Sequence, residues 1–131
     1  MKLLLDTHIL LWSLLDPNCL AKRVAALLED PVNELWLSPI STWEVIILAE
    51  KGRITLDVDP ITWMREVFKK IPFKEASITH EVAMQSRLVA LPHEDPAHRL
   101  LAATALVYEL TLVTADERLL RSNGFSVLAN Q

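Results

Sequence analysis

The chain has 131 residues, 51% of them hydrophobic, and a formal net charge of −4. That length suits one domain with a core of its own, and the composition excludes a disordered chain. The acidic balance argues against a broad basic face for duplex nucleic acid, yet a nuclease whose metal ligands are acidic stays open. The single cysteine, Cys19, excludes an internal disulfide framework and suits a reducing cytosol. No apolar run reaches membrane-spanning length, and the start, Met1 to Leu5, is too short to read as a signal peptide.

Leu3-Leu4-Leu5 is an apolar run that stops at Asp6. It has the pattern of a strand buried on both faces, followed by a helix over His8 to Leu15. Asp16-Pro17-Asn18 is a turn signal. Leu20 to Glu29 reads as an amphipathic helix with Leu20, Val24, Leu27 and Leu28 on one stripe, and Glu34 to Leu37 as a short strand. Ser38-Pro39 opens a helix, with a serine cap and proline at the first helical position, that runs to Lys51 and stops at Gly52. Arg53 to Val58 is a turn. Asp59-Pro60 opens a helix over Ile61 to Lys70, and Ile71 to Lys74 looks like an edge strand, where Pro72 is tolerated.

Thr79 to Val89 is predicted helical, with Val82, Ala83, Leu88 and Val89 facing inward. Leu91 to Pro96 is a polar loop, from which a helix rises over Ala97 to Glu109. Leu110 to Thr114 is a second convincing buried strand, followed by a short helix over Glu117 to Arg121. A turn at Asn123-Gly124 leads to a last strand, Phe125 to Leu128. With no repeat, linker or low-complexity tract, this alternation implies one layered α/β domain over residues 1–131 with a mainly parallel sheet.

Four carboxylates are expected to converge at the sheet edge that forms a ligand crevice, two because they follow strands and two because they lie near helix starts. Asp6 follows the first strand. Glu44 lies between Ile40, Ile47 and Leu48 in the apolar stripe of its helix, where glutamate is rarely buried unless paired. Asp95 begins the Ala97 helix, and Asp116 follows the Leu110 strand. Each also has a purely structural reading. Asp6 or Thr7, Asp95 and Asp116 suit helix N-caps, and Glu44 suits a capping box with Ser41 or a side chain escaping to the rim. Taken together, four acids at one sheet edge repel one another unless cations neutralise them, and oxygen-only ligands suit Mg²⁺ or Mn²⁺. Such ions activate water and stabilise displacement at a phosphodiester. Two glycines leave no Gly-rich phosphate loop, and no Cys/His zinc pattern is present.

The opening Leu-Leu-Leu-Asp6-Thr7-His8, the Ser38-Pro39-Ile40-Ser41-Thr42-Trp43-Glu44-Val45 helix, the Asp95-Pro96-Ala97-His98-Arg99-Leu100-Leu101-Ala102-Ala103-Thr104-Ala105 stretch and the Leu112-Val113-Thr114-Ala115-Asp116 strand resemble a PIN domain. Within that family the chain is similar to the bacterial VapC-like toxins, in order and over its whole length. The resemblance implies a three-layer α/β/α sandwich, a metal-dependent ribonuclease of the cytoplasm, a homodimer and a cognate antitoxin. The family's acidic positions map onto Asp6, Glu44 and Asp116. One place departs: the pattern Asp-Pro-x-Asp-Arg carries an active-site acid at its second aspartate, where this chain has His98.

His98 leaves three readings open: it ligates a metal through a neutral imidazole, Asp95 takes over the missing role, or the site is weakened; beside them stands the plain reading of a bystander at a helix start. The expected site therefore comprises Asp6, Glu44, Asp95, His98 and Asp116, with metal at the four acids. Thr7 and Thr114 would orient carboxylates or water from behind, while His8, His80 and His93 carry no comparable argument. RNA that is single-stranded or looped suits a small acidic domain better than duplex DNA. The rival reading is a binding protein that keeps the fold but has lost turnover through His98. A receiver-like phosphoacceptor domain shares the size, but no acidic pair follows the first strand and no lysine follows the Leu110 strand.

Overall fold

The computed structural model describes all 131 residues. Five strands form one sheet: β1 (Lys2–Leu5), β2 (Glu34–Leu37), β3 (Lys74–Glu75), β4 (Thr111–Thr114) and β5 (Ser126–Ala129), in the order β3-β2-β1-β4-β5. Every pairing is parallel, so the mainly parallel expectation becomes an all-parallel sheet. The helices are α1 (Thr7–Leu15), α2 (Lys22–Glu29), α3 (Pro39–Glu50), α4 (Pro60–Lys70), α5 (His80–Gln85), α6 (Pro96–Tyr108) and α7 (Glu117–Leu120). A 3₁₀ turn over Pro17–Cys19 is followed by extended Leu20 and Ala21, so α2 starts at Lys22 and not at the expected Leu20.

Alternation along the strands divides the core into two layers, one on each face of the sheet. Leu3, Leu5, Leu37 and Val113 point to one face, where Ile9 and Leu10 of α1, Val24 of α2, Val45 of α3 and Met64 and Val67 of α4 cover them. Leu4 and Leu112 point to the other, under Leu101, Ala102 and Ala105 of α6 and Leu119 of α7. Leu3, Leu4 and Leu5 are fully or almost fully buried. A run apolar at every position is what a central parallel strand requires. Helices on both faces make the three-layer α/β/α sandwich. No helix is long and apolar enough to cross a membrane.

Two further elements differ from the sequence expectation, and by more. The edge strand begins at Lys74 instead of Ile71, because Pro72 has no N–H and the Phe73 N–H turns back onto the Ile71 carbonyl at 2.8 Å. Helix α5 stops at Gln85 instead of Val89. The carbonyls of Ser86, Val89 and Leu91 turn towards the Arg99 guanidinium, so the segment bends and leaves Leu88 72% exposed. Ala83 is exposed too, while Val82 is buried.

The strand order fixes where a crevice forms. After β1 the chain builds β2 and β3 on one side, then crosses to build β4 and β5 on the other. Connections leave β1 and β4 in opposite directions, which opens a gap at their carboxyl ends.

Candidate active site

That gap holds a cleft of about 370 Å³ lined by Asp6, His8, Trp12, Glu44, Asp95, His98, Ala115, Asp116 and Arg118. The four carboxylates expected from the sequence and His98 thus meet in one place. Helix starts bring most of them there. Asp6 caps α1, its Oδ1 accepting the Thr7 N–H at 2.8 Å. Asp95 caps α6, its Oδ1 accepting the N–H groups of Ala97 and His98 at 3.0 and 3.2 Å. Asp116 caps α7 by accepting the Arg118 N–H at 2.8 Å. Capping and clustering are therefore one arrangement: the helices that the acids cap start beside one another at the sheet edge.

Glu44 is not a capping residue. Ser38 caps α3, accepting the Ile40 N–H at 3.1 Å, and Glu44 sits on the inward face of the helix. Its Oε1 accepts the Thr7 hydroxyl at 2.5 Å. Ser41, fully buried, lies one turn earlier with its hydroxyl 3.1 Å from that of Thr7. Burial raises the Glu44 carboxyl above the usual glutamate range. The Thr7 hydrogen bond opposes the rise, Asp6 and Asp95 add to it, and His98 partly offsets them.

Asp6 is buried and also accepts the Thr114 hydroxyl on Oδ2 at 2.6 Å. The Thr114 oxygen in turn accepts the Asp116 N–H at 3.0 Å, so one threonine ties β1 to the start of α7. Asp116 pairs with Arg118 through Nη2 at 3.1 Å. Its partial burial works against ionisation, yet the Arg118 side-chain and backbone hydrogen bonds, helped by the charges of His98 and Arg118, hold its carboxyl below the usual aspartate range.

His98 projects from the first turn of α6 between two of the acids, its Nε2 3.7 Å from Asp116 Oδ2 and its Nδ1 3.7 Å from Asp95 Oδ2. His93 stands beside it, Nε2 to Nδ1 at 3.1 Å. The loop carrying His93 is held from below by Arg99, which is 5% exposed and has no carboxylate partner. The Arg99 guanidinium donates to the carbonyls of Ser86, Leu91, His93 and Val89 at 2.7–3.3 Å.

Sequence reasoning missed five contributors. Arg118 was legible as a cation two residues past Asp116, and Ser41 as the neighbour of Glu44 one helical turn back. Arg99 shows as a lone charge in a small-residue-rich helix that packs closely. His93 reads as a loop residue and His8 as the start of a helix, yet His8 lines the cleft; nothing in local spacing tells a loop histidine from one folded onto another ring.

Nowhere in the chain are three Asp, Glu, His or Cys side chains drawn together as a ready-made metal cage. The donor set still fits a hard divalent ion. The acids that line the cleft offer oxygen only, and Asp6 and Asp95 already push the Glu44 carboxyl up. Mg²⁺ in particular keeps several waters and needs only one or two carboxylates alongside substrate phosphates.

A model of the PIN domain family matches residues 3–124. Ribonuclease VapC22 of Mycobacterium tuberculosis (strain ATCC 25618 / H37Rv) is 35% identical over 119 residues, 88% of each chain. Among solved structures, VapBC2 from Rickettsia felis, bound to a DNA fragment from their promoter, aligns with a TM-score of 0.71 at 15% identity over 98% of both chains. FitAcB from Neisseria gonorrhoeae aligns with a TM-score of 0.65 at 23% identity, over 98% of this chain and 97% of that one. At those identities the two structures speak for the fold alone. From its family match and its VapC-like sequence, carried on a sheet with four carboxylates at the β1–β4 crevice, the chain belongs to the PIN domain family.

Proposed function

We propose that the protein is a divalent-metal-dependent endoribonuclease, the toxin of a toxin–antitoxin pair. The observation that carries the reading is the convergence of Asp6, Glu44, Asp95 and Asp116 on one cleft; the likeness to a ribonuclease supports it. Asp6, Glu44, Asp95 and Asp116 would hold Mg²⁺ or Mn²⁺, directly or through water. The bound ion would supply an activated water and a charge to offset the one that builds on the phosphodiester.

The chain's own residues prepare that chemistry. Thr7 aims the Glu44 carboxylate and Thr114 that of Asp6, each by a hydroxyl hydrogen bond. Arg118 holds Asp116 ionised and leaves a guanidinium at the rim, where a phosphate oxygen can meet it. The N-terminus of α6 opens into the same space and favours an anion. The substrate class is unpaired or looped RNA, because a chain of net charge −4 has no broad basic face for a duplex. A cognate antitoxin, a homodimer and a cytoplasmic setting complete the reading.

The test is cleavage of a single-stranded RNA by the purified chain, free of any antitoxin, with Mg²⁺, Mn²⁺ or a chelator. Cleavage is expected only with metal, and Asp6→Asn should lower the rate about a hundredfold or more, the scale for losing a charge-handling group in a reacting site. The same ions should raise the melting temperature of the native chain and not that of Asp6→Asn. A saturating ligand at a hundred times its Kd stabilises by about 2.7 kcal/mol. Cleavage that survives chelation, or that Asp6→Asn leaves intact, overturns the reading. Metal-dependent stabilisation without cleavage would favour the binding protein weakened by His98.

A further inference from the structure

His98 takes the one place where this chain departs from the acid expected by resemblance, and its neighbours decide what it offers the cleft. Its Nδ1 lies 3.1 Å from His93 Nε2, within hydrogen-bond reach. Asp95 Oδ2 stands 3.7 Å from the same nitrogen, beyond that reach. One proton therefore lies between two rings, and the far side of His93 decides which ring owns it. His93 Nδ1 is buried without a partner. With the proton on Nδ1, His93 would bury an orphaned N–H, the rarer kind of unpaired group in native structures. With the proton on Nε2, only a lone pair is left unpaired, and the N–H donates to His98 Nδ1. Since His98 Nδ1 then accepts, the proton of its own neutral ring must sit on Nε2.

The other end of His98 agrees. Nε2 faces Asp116 Oδ2 at 3.7 Å, where a carboxylate attracts an N–H and repels a lone pair. The His93 backbone is itself fixed, because Arg99 Nη1 donates to the carbonyls of Leu91 and His93 at 2.7 and 3.3 Å. Edge-on packing of the two rings, with centroids 5.3 Å apart and planes at 82°, sets their angle.

We propose that His93 is a positioning residue that locks His98 in its Nε2–H tautomer, so that His98 turns an N–H towards Asp116 and meets the cleft as a hydrogen-bond donor for a substrate phosphate oxygen, and not as a metal ligand. The phosphate contact rests on the ribonuclease reading; the tautomer does not. Of the readings open to His98 from the sequence, ligand and bystander both fall away. An N–H aimed at a phosphoryl oxygen supplies in one uncharged group part of what a bound cation supplies with charge.

Nuclear magnetic resonance of the full-length, metal-free chain labelled with ¹⁵N-histidine tests this, at about pH 8, well above the ordinary histidine pKa of about 6.5. His98→Gln assigns the His98 signals. The wild-type chain should show His98 as the Nε2–H tautomer. His93→Ala should release it to a mixture, and His93→Gln, whose carboxamide can still donate, should keep it. Adding Mg²⁺ should leave Nε2 protonated. In cleavage assays His93→Ala should lower kcat about tenfold at unchanged KM, as loss of an orienting partner does, and His93→Gln should recover most of it. An Nδ1–H tautomer in the wild-type chain, or no change in His93→Ala, overturns the proposal. So does loss of the Nε2 proton on adding Mg²⁺. If the wild-type chain cleaves no RNA the phosphate contact falls with the ribonuclease reading, and the spectra still decide the tautomer.

Discussion

The two sides of the cleft hold their acids by different means. Asp6, at the cap of α1, and Glu44, on the second turn of α3, stand against the core, and the hydroxyls of Thr114 and Thr7 are their side-chain donors. Asp95 and Asp116 stand on the far side, where Arg118 and His98 supply positive or donor groups. Burial holds the Glu44 carboxyl above the usual range against the Thr7 hydrogen bond, whereas that of Asp116, in spite of partial burial, is held below it by the Arg118 hydrogen bonds. Hydroxyls orient a carboxylate without neutralising it, so the first side keeps its negative charge and gains most from an added cation. The second side is already partly compensated, and part of it hangs on a loop that one arginine secures.

The largest expected effect breaks the support of that loop. Arg99→Met keeps the length and apolar stem of the side chain but leaves four carbonyls without their donor. Losing hydrogen bonds to a buried charged group should cost roughly 3 kcal/mol, read as a fall in the urea midpoint at unchanged m-value. Hydrogen exchange should rise over residues 86–95 and hold steady in α1 and α3. Uniform loss of protection would mean that the two sides do not stand apart.

An intermediate effect sharpens the electrostatic contrast. Because the Glu44 pKa is raised in the fold, its protonated form contributes stability that is fully present below the ordinary value of 4.5. That contribution is lost as pH rises through the raised value. Glu44→Gln keeps an acceptor for Thr7 and removes the charge. It should match the wild-type chain at about pH 4 and exceed it in urea midpoint at about pH 7. A variant less stable at neutral pH would show that Glu44 is already compensated.

The smallest effect lies opposite. The depressed Asp116 pKa contributes stability present above the ordinary aspartate value of 3.8 and lost as pH falls through the lowered one. Arg118→Gln should therefore be slightly less stable than the wild-type chain at neutral pH and equal to it in strong acid. Exposure of the pair keeps the difference small. The same variant should bind Mg²⁺ more tightly, in titration calorimetry, by freeing Asp116 from a competing cation; weaker binding would place Arg118 among the groups that help to hold the ion.

How much of this was legible in the sequence follows the range of the forces involved. Helix starts are local, so Asp6, Asp95 and Asp116 could be placed as caps from their neighbours alone. Glu44 stood out because a charge on an apolar stripe needs a partner, although the partner, Thr7, is 37 residues away and spacing could not name it. The apolar runs located β1 and β4. The early end of α5 was out of reach, since it depends on carbonyls turning to an arginine 13 residues on. Leu88 looked like a core residue by periodicity and is not one, for the same reason.

The pairing of β1 with β4 has a consequence for the order in which the molecule can come into being. Leu5 lies in register with Val113, and Asp6 takes the hydroxyl of Thr114, 108 residues later. Parallel pairings across such separations close only after a large loss of chain entropy, and they fold late. As the polypeptide leaves the ribosome, β1 can meet β2 early, but its other edge stays open until residues 111–114 emerge. The four acids thus share no cleft until almost all of the chain has been made, and a polypeptide cut short before Thr111 carries three of them with nothing to bring the fourth.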